Sequence, residues 1–192
     1  IAEWLIKANN PGIYPGRSGR DPGSVAELVR LAELLAVPVM DLGRYDRLNF
    51  PTTHPLYGTG PAPKDADVLL VLENPAPFMP PAGAPKADAK IAWVDPDPVQ
   101  SRYKSMEFSA DIWLPIVSLG AIRAIYEAAT ALLTRSDMSR IADRRSRLEM
   151  RQREMTVARD AAAQVASRRK PLHPLWVAHE LGEILESDSI LL

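Results

Sequence analysis

Two uninterrupted apolar runs, at residues 68–72 and 91–94, constrain the fold of this chain more than any other feature. The first run ends at Glu73 and the second ends at Asp95, so an acidic residue follows each of them directly. Strands without polar alternation are typical of a parallel sheet that is covered on both faces. In open parallel sheets, ligands bind beyond the carboxyl ends of the strands. The sequence therefore predicts a parallel sheet with acidic residues along one edge.

The segment before these runs has the pattern of a strand–helix–strand unit. We predict a strand at residues 11–16, a helix at residues 22–36 and a second strand at residues 37–41. Asp21 can accept a hydrogen bond as the N-cap of this helix, and Pro22 suits its first turn. A unit of this kind joins parallel strands, so it extends the same sheet.

The segment after the two runs predicts one more strand and one more helix. Residues 110–117 predict an edge strand because they include Pro115, which cannot donate a hydrogen bond to a neighbouring strand. Residues 120–133 have helical spacing of their apolar side chains. Together these elements predict an α/β domain over residues 1–133. We expect a Rossmann-like parallel sheet of about six strands flanked by helices.

Composition excludes several classes of protein. The chain has 192 residues, 46% of them hydrophobic, which is enough for one good core. A net charge of −1 gives no reason to expect nucleic acid or an anionic membrane as a partner. The absence of cysteine excludes a disulfide framework and thiolate chemistry and agrees with a cytoplasmic location, which we predict. No metal site is predicted, since His54 has no second ligand at suitable spacing and suits a hydrogen-bonding role in its loop.

Residues 134–170 differ sharply from the rest of the chain, with eleven Lys or Arg against five Asp or Glu. They predict a long basic helix that connects two parts of the protein. We favour a solvated helix that lies across its own protein. The alternative is a helix that binds nucleic acid or an acidic partner, but no aromatic residue is interleaved to stack on bases.

The last segment, residues 171–192, reads as the start of another α/β unit. We predict a helix at residues 175–185 and a strand at residues 189–192, after which the unit is cut off. A lone half-unit cannot bury its own apolar face. We therefore expect the chain to be part of a longer protein.

The turn at residues 16–20 combines two glycines with two arginines. Backbone amides at the start of a helix attract anions, so a phosphate site is one interpretation of this turn. However, the spacing of Gly12, Gly16 and Gly19 matches neither the dinucleotide nor the nucleoside-triphosphate fingerprint. A tight turn is the interpretation that we favour from the pattern alone.

Five segments, in this order and spacing, resemble a known family. They read KANNPGIYPGRSGRDPGSVAELVRLAELLAVPV, FPTTHPLYGTG, DADVLLVLE, AKIAWVDPDPVQSRY and PLHPLWVAHELGEILESDSILL. The first four are similar to the central domain of thiamine-diphosphate-dependent enzymes of the acetolactate synthase and benzoylformate decarboxylase superfamily. The fifth is similar to the entry into the third, diphosphate-binding domain of such enzymes. The resemblance thus divides the chain into a central domain (1–133), a basic connector (134–170) and a truncated third domain (171–192).

The resemblance implies a function for the intact enzyme and a limited role for this chain. In the family, a glutamate of the first domain activates the cofactor, and a Gly-Asp-Gly motif of the third domain holds magnesium and the diphosphate. Neither region is in this sequence. We therefore expect a noncatalytic central-domain fragment of an enzyme that acts on 2-oxo acids with thiamine diphosphate and magnesium, neither of which the fragment itself binds. The expected partners are the missing N- and C-terminal domains, in a homo-oligomer.

The family also implies a candidate nucleotide site, because the central domain of some relatives binds FAD or ADP. The matching positions are Gly16 and Arg17 in the first turn and Asp95 and Asp97 at the strand end. The Gly-Asp pair that many nucleotide-binding relatives carry before the last helix is Val117-Ser118 here, so one carboxylate is missing. A vestigial site in a structural domain is the interpretation that we favour. A stand-alone module that binds an adenine nucleotide or a partner protein is the alternative to the enzyme fragment.

Overall fold

The computed structural model describes residues 1–41, 47–79, 83–98 and 108–186. The chain forms two compact units, unit 1 (Ile1–Glu149) and unit 2 (Met150–Leu192). The helices are α1 (Ala2–Lys7), α2 (Pro22–Leu35), α3 (Ser118–Leu132), α4 (Arg135–Ala166) and α5 (Pro174–Ile184). The strands are β1 (Pro11–Pro15), β2 (Val68–Leu72), β3 (Lys90–Val94) and β4 (Ile112–Leu114). The boundary between the units falls within α4, and the three-part division expected from the sequence stays a prediction.

The four strands form one parallel sheet in the order β1-β2-β3-β4. The two apolar runs of the sequence are its two central strands, β2 and β3, which confirms the α/β class. The last residues of the four strands, Pro15, Leu72, Val94 and Leu114, lie in one row across the sheet. Residues that follow this row therefore share one edge, which we call the carboxyl edge.

The expected six strands are not found among the described residues. Residues 37–41 contribute only a single parallel bridge on each side, from Val39 to Ile13 and from Val39 to Tyr57. Pro38 precedes the bridging residue and has no N–H to donate, which limits the pairing of this segment. The predicted strand at 110–117 is shortened to β4, which ends before Pro115. The predicted strand at 189–192 lies outside the described residues.

Each face of the sheet has its own apolar cluster. On one face, side chains from alternate strand positions pack against α1, α2 and α3, whose inward residues include Leu5, Leu28 and Ile122. On the opposite face, Leu69, Val71 and Trp93 belong to a second cluster that also holds Tyr14 and, at its border, the loop residues Met40, Phe108 and Ala110. The start of α3 lies at the carboxyl edge, where the N–H of Ser118 donates to the side chain of Glu73.

Three arginines of α4 bind backbone carbonyls at the ends of two other helices in unit 1. Arg144 is buried, and its guanidinium donates to the carbonyl oxygens of Leu5, Ile6, Ala8 and Leu35 at 2.7–3.4 Å. Arg140 donates to Lys7 O, and Arg145 donates to Glu33 O. The last carbonyls of a helix have no partner within that helix, and they carry a partial negative charge. The arginines therefore satisfy the carboxyl ends of α1 and α2.

This arrangement explains why the first half of α4 is rich in arginine. Burial lowers the pKa of the Arg144 guanidinium below its ordinary value, to about 10, so the group remains charged at neutral pH. Ile141 and Leu148 pack against the core on the same side, whereas Met155, the next residue of their seven-residue repeat, is exposed. The part of α4 in unit 1 thus lies across its own protein, and its role as a connector stays a prediction.

Unit 2 contains the rest of α4 and the whole of α5. The predicted helix at 175–185 is confirmed as α5, which His173 caps through Nδ1, the acceptor of the Leu175 N–H at 3.2 Å. No residue of α5 is buried, and Val177 and Ile184 are exposed. In the part of the chain that the structure describes, no helix combines the length and apolarity needed to cross a bilayer.

Replacing Arg144 with methionine tests the carbonyl contacts. Arg144→Met keeps the apolar stem but leaves buried carbonyl oxygens without donors, so we expect the free energy of unfolding to fall by about 3 kcal/mol. Arg147→Met is the matched control, since Arg147 is exposed on the same helix, and its loss should change stability by less than about 0.5 kcal/mol. Urea denaturation of the two variants measures both values, and equal effects would contradict this account of Arg144.

Candidate functional site

The carboxyl edge carries a glycine or an acidic residue directly after each of three strands. Gly16 follows β1, Glu73 follows β2 and Asp95 follows β3, and the row of strand ends places them side by side. The first residue of α3, Ser118, completes the edge through its contact with Glu73. The structure therefore brings Gly16 and Asp95, two of the four predicted site residues, to one edge, as expected for a parallel sheet.

Glu73 makes the central contacts of this edge. Its side chain is 5% exposed, and its Oε2 lies 2.6 Å from Nη2 of Arg20, whose side chain is 50% exposed. Its Oε1 accepts a hydrogen bond of 2.9 Å from the backbone N–H of Ser118. The N-cap residue of α3, Val117, has no side-chain acceptor, so the carboxylate of Glu73 caps this helix from the end of β2.

The backbone of Glu73 is strained. Its φ angle is +45°, in the left-handed region that non-glycine residues rarely adopt. The backbone also bonds on both sides of β2, because its N–H donates to Val94 O and its carbonyl accepts from the N–H of Arg17. Strain of this kind persists where surrounding contacts hold it in place. Here these contacts hold the side chain between Arg20 and α3.

The predicted site residues of the first turn are engaged within the chain. The N–H of Gly16 donates to Leu72 O at 2.9 Å, and the N–H of Arg17 donates to Glu73 O at 3.0 Å. A β-carbon added at Gly16 would lie 2.6 Å from Glu73 O, so glycine is needed here for close packing against the end of β2. The side chain of Arg17 is exposed. Neither of the two amides points to a site for an external anion, because each already has an acceptor.

A buried asparagine fixes the same turn from a different loop. Oδ1 of Asn49 accepts from Ser18 Oγ and from the N–H of Gly19, at 3.0 and 2.9 Å. Its Nδ2 donates to Gly16 O at 3.0 Å and to Asp41 Oδ2 at 3.3 Å. The turn that resembles a phosphate loop is therefore a closed hydrogen-bonded structure, consistent with the tight turn that the spacing of its glycines favours.

Asp95 and Asp97 form a local turn after β3. Oδ1 of Asp95 accepts a hydrogen bond of 2.8 Å from the N–H of Asp97, so Asp95 shapes the corner while Asp97 is exposed. Burial raises the pKa of Asp95 above its ordinary value of 3.8, and the nearby charge of Glu73 raises it further, although the Asp97 N–H opposes the shift. The negative charge of Glu73 therefore acts on Asp95, one of the four predicted site residues.

The remaining candidates lie away from this edge. His54 accepts from the N–H of Leu56 through Nδ1 and lies 3.3 Å from Glu33 Oε1 through Nε2, which confirms its hydrogen-bonding role in the loop. Among the described residues, no group of three or more His, Cys, Asp or Glu side chains is placed to hold a metal ion. A cavity of about 450 Å³ is lined by Phe78, Lys90, Phe108 and other residues, none of which belongs to the predicted site.

Comparisons with known proteins identify the fold. No protein-family model matches the chain, and no curated protein matches it in sequence. Among solved structures, the chain matches a putative thiamin diphosphate-dependent enzyme from Mycobacterium smegmatis, with 23% identity and a TM-score of 0.50 over 66% of this chain and 26% of that chain. It also matches the thiamine diphosphate-dependent 4-hydroxybenzoylformate decarboxylase of Rhodococcus jostii RHA1, with 22% identity and a TM-score of 0.50 over 67% of this chain and 26% of that chain.

This chain shares its fold with a part of thiamine diphosphate-dependent enzymes. The resemblance noted in the sequence is thus confirmed at the level of the fold. The chain spans about a quarter of the length of each of these two enzymes. The assignment of Gly16, Arg17, Asp95 and Asp97 to a nucleotide site stays a prediction.

Sequence reasoning placed Glu73 at this edge but included neither Glu73 nor Arg20 among the site residues. Glu73 is visible in the sequence as the acid after the first apolar run, but its partner Ser118 lies 45 residues further along the chain. Arg20 is visible only as one of two arginines in the first turn. The position of Glu73 after a central parallel strand places it at the carboxyl edge, but that position does not identify its partners.

Replacing Glu73 separates its side-chain contacts from its backbone strain. Glu73→Ala removes the acceptor of the Ser118 N–H and the partner of Arg20, so we expect a loss of about 2–3 kcal/mol in the free energy of unfolding. Glu73→Gly loses the same contacts but should be more stable than the alanine variant by about 1 kcal/mol, because glycine adopts a positive φ without strain. Urea denaturation measures this order. Glu127→Ala, on the exposed face of α3, is the control, and an alanine variant as stable as the glycine variant would argue against strain at Glu73.

The raised pKa of Asp95 predicts a pH dependence of stability. The folded state favours the protonated carboxyl, so this group stabilises the fold below its ordinary pKa of 3.8, and that contribution is lost as the pH rises through the raised value. Asp95→Asn should therefore unfold at a higher denaturant concentration than the wild type at pH 7. Near pH 3.5 the two midpoints should converge. Urea titrations at both pH values check this, and a constant difference across the range would contradict it.

Proposed function

We propose that this chain is the noncatalytic central domain of a thiamine diphosphate- and magnesium-dependent enzyme that acts on 2-oxo acids by decarboxylation or carboligation. The observation that carries the proposal is the shared fold, because the match covers two thirds of this chain but only a quarter of each enzyme. The 2-oxo acid substrate class rests on the resemblance of the sequence to acetolactate synthase-like enzymes and on one structural neighbour, which is a 4-hydroxybenzoylformate decarboxylase.

The contacts at the carboxyl edge support a structural role. The polar groups there bind to one another: Glu73 to Arg20 and Ser118, and Asn49 to the first turn. A catalytic or cofactor site needs polar groups that face the ligand. In the intact enzyme, we propose that thiamine diphosphate and magnesium are held by the flanking domains, in a cytoplasmic homo-oligomer that binds neither nucleic acid nor membrane.

The family resemblance also suggests FAD or ADP as a cofactor at the carboxyl edge. The contacts described there do not fit the diphosphate group of such a nucleotide. The amides of Gly16 and Arg17 are occupied by Leu72 O and Glu73 O. The start of α3, the other place where backbone amides could meet a phosphate, already faces the carboxylate of Glu73. We therefore assign no step of the chemistry to an adenine nucleotide.

The experiment compares the chain with the intact protein that contains it. We expect the intact protein to release CO₂ from a 2-oxo acid, or to join two such acids, only when thiamine diphosphate and magnesium are present. The isolated chain should show no activity and no saturable heat on calorimetric titration with thiamine diphosphate and magnesium. A panel of aliphatic and aromatic 2-oxo acids assigns the substrate.

Two outcomes would contradict this proposal. Saturable, magnesium-dependent binding of thiamine diphosphate to the isolated chain would show that the chain itself carries the cofactor site. A reading frame without a Gly-Asp-Gly motif after residue 192 would instead favour the stand-alone binding module.

A further inference from the structure

A side-chain carboxylate already occupies the place at the carboxyl edge where an external anion would bind. A free phosphate is held in proteins by backbone N–H groups at the start of a helix and by arginine. Glu73 has one of each: its Oε1 faces the N–H of Ser118, the first residue of α3, and its Oε2 lies 2.6 Å from the guanidinium of Arg20. α3 has 15 residues, so its N-terminus carries a substantial partial positive charge.

A second polar group at the same helix end has no partner among the described residues. Ser118 is 1% exposed, and its Oγ makes no hydrogen bond there. Buried hydroxyl groups are usually hydrogen-bonded, so this unpaired hydroxyl, on the residue whose N–H meets Glu73, is a donor that a larger anion could use. Gly120, in the same first turn, has open space next to its α-carbon. The start of α3 therefore has a hydroxyl donor that Glu73 does not use and open space beside Gly120.

The surrounding charges argue against a second anion while Glu73 is present. Asp95 is half-buried nearby, and the charge of Glu73 contributes to its raised pKa. A phosphate in the same place would meet both carboxylates and would have to displace Glu73 from a buried position. The strained backbone of Glu73, held by Val94 O and by the N–H of Arg17, keeps the carboxylate where it is.

We propose that the carboxylate of Glu73 is the resident anion of a phosphate-type site formed by the Ser118 N–H, the Ser118 hydroxyl and Arg20, and that it closes this site to free phosphates and diphosphates. Removing the carboxylate opens the site. The inference concerns only residues of this chain and does not depend on the proposed enzyme activity, so the two can fail separately.

Inorganic pyrophosphate is the probe, and the thermal unfolding midpoint of the chain is the readout. At about ten times its dissociation constant, pyrophosphate should raise the midpoint of Glu73→Gly by about 3–5 °C relative to sodium chloride of equal ionic strength. The wild type should show no shift. Adding Arg20→Ala to Glu73→Gly should abolish the response, because the guanidinium is the charged donor of the site.

Control variants keep the test decisive. Glu127→Gln removes a negative charge from the exposed face of α3 and should respond like the wild type. If Glu73→Gly does not fold, Glu73→Asn takes its place, since asparagine tolerates a positive φ and is shorter and uncharged. A wild-type shift as large as that of the variants would overturn the proposal, and so would a folded Glu73→Gly or Glu73→Asn that does not respond to pyrophosphate.

Discussion

The contact of Glu73 with Ser118 and Arg20 holds together the elements that meet at the carboxyl edge. One carboxylate links the end of β2, the first turn after β1 and the start of α3. A buried carboxylate is costly unless its oxygens are paired, and here both oxygens have donors, one from a helix end and one from a cation. The same carboxylate lies at the carboxyl ends of the strands, where parallel α/β sheets bind their ligands. It therefore limits which ligands could bind at this edge.

Arginine side chains of α4 bind the carboxyl ends of two other helices, α1 and α2. Arg144 and its neighbours on α4 donate to the last carbonyls of α1 and α2, so the carboxyl ends of these helices meet positive charge while the amino end of α3 meets negative charge. The excess of arginine in the first half of α4 has a structural explanation within unit 1. In unit 1, these charged side chains thus bind helix ends of the same chain.

Local patterns predicted much of the fold. The apolar run at residues 68–72 is β2 to the residue, and Asp21 and Pro22 mark the start of α2 as expected, with Asp21 accepting from the N–H of Gly23. These features depend on neighbours in sequence. The number of strands was overestimated because Pro38 and Pro115 shorten the pairing of segments whose apolar character resembles that of strands. Glu73 and Arg144 could not be ranked from sequence, because their partners lie in distant segments and, apart from the Arg20 side chain, are backbone groups that the side-chain pattern does not reveal.

The central claim is that an internal carboxylate, and not an external ligand, occupies the start of α3. A crystal structure of the wild-type chain grown in high concentrations of phosphate tests this claim most directly, because it shows which oxygen atoms face the Ser118 N–H. The account predicts Oε1 of Glu73 within hydrogen-bonding distance of that N–H, Oε2 paired with Arg20, and no phosphate at this position. A phosphate bound to Ser118 and Arg20, with the side chain of Glu73 turned away into solvent, would contradict it.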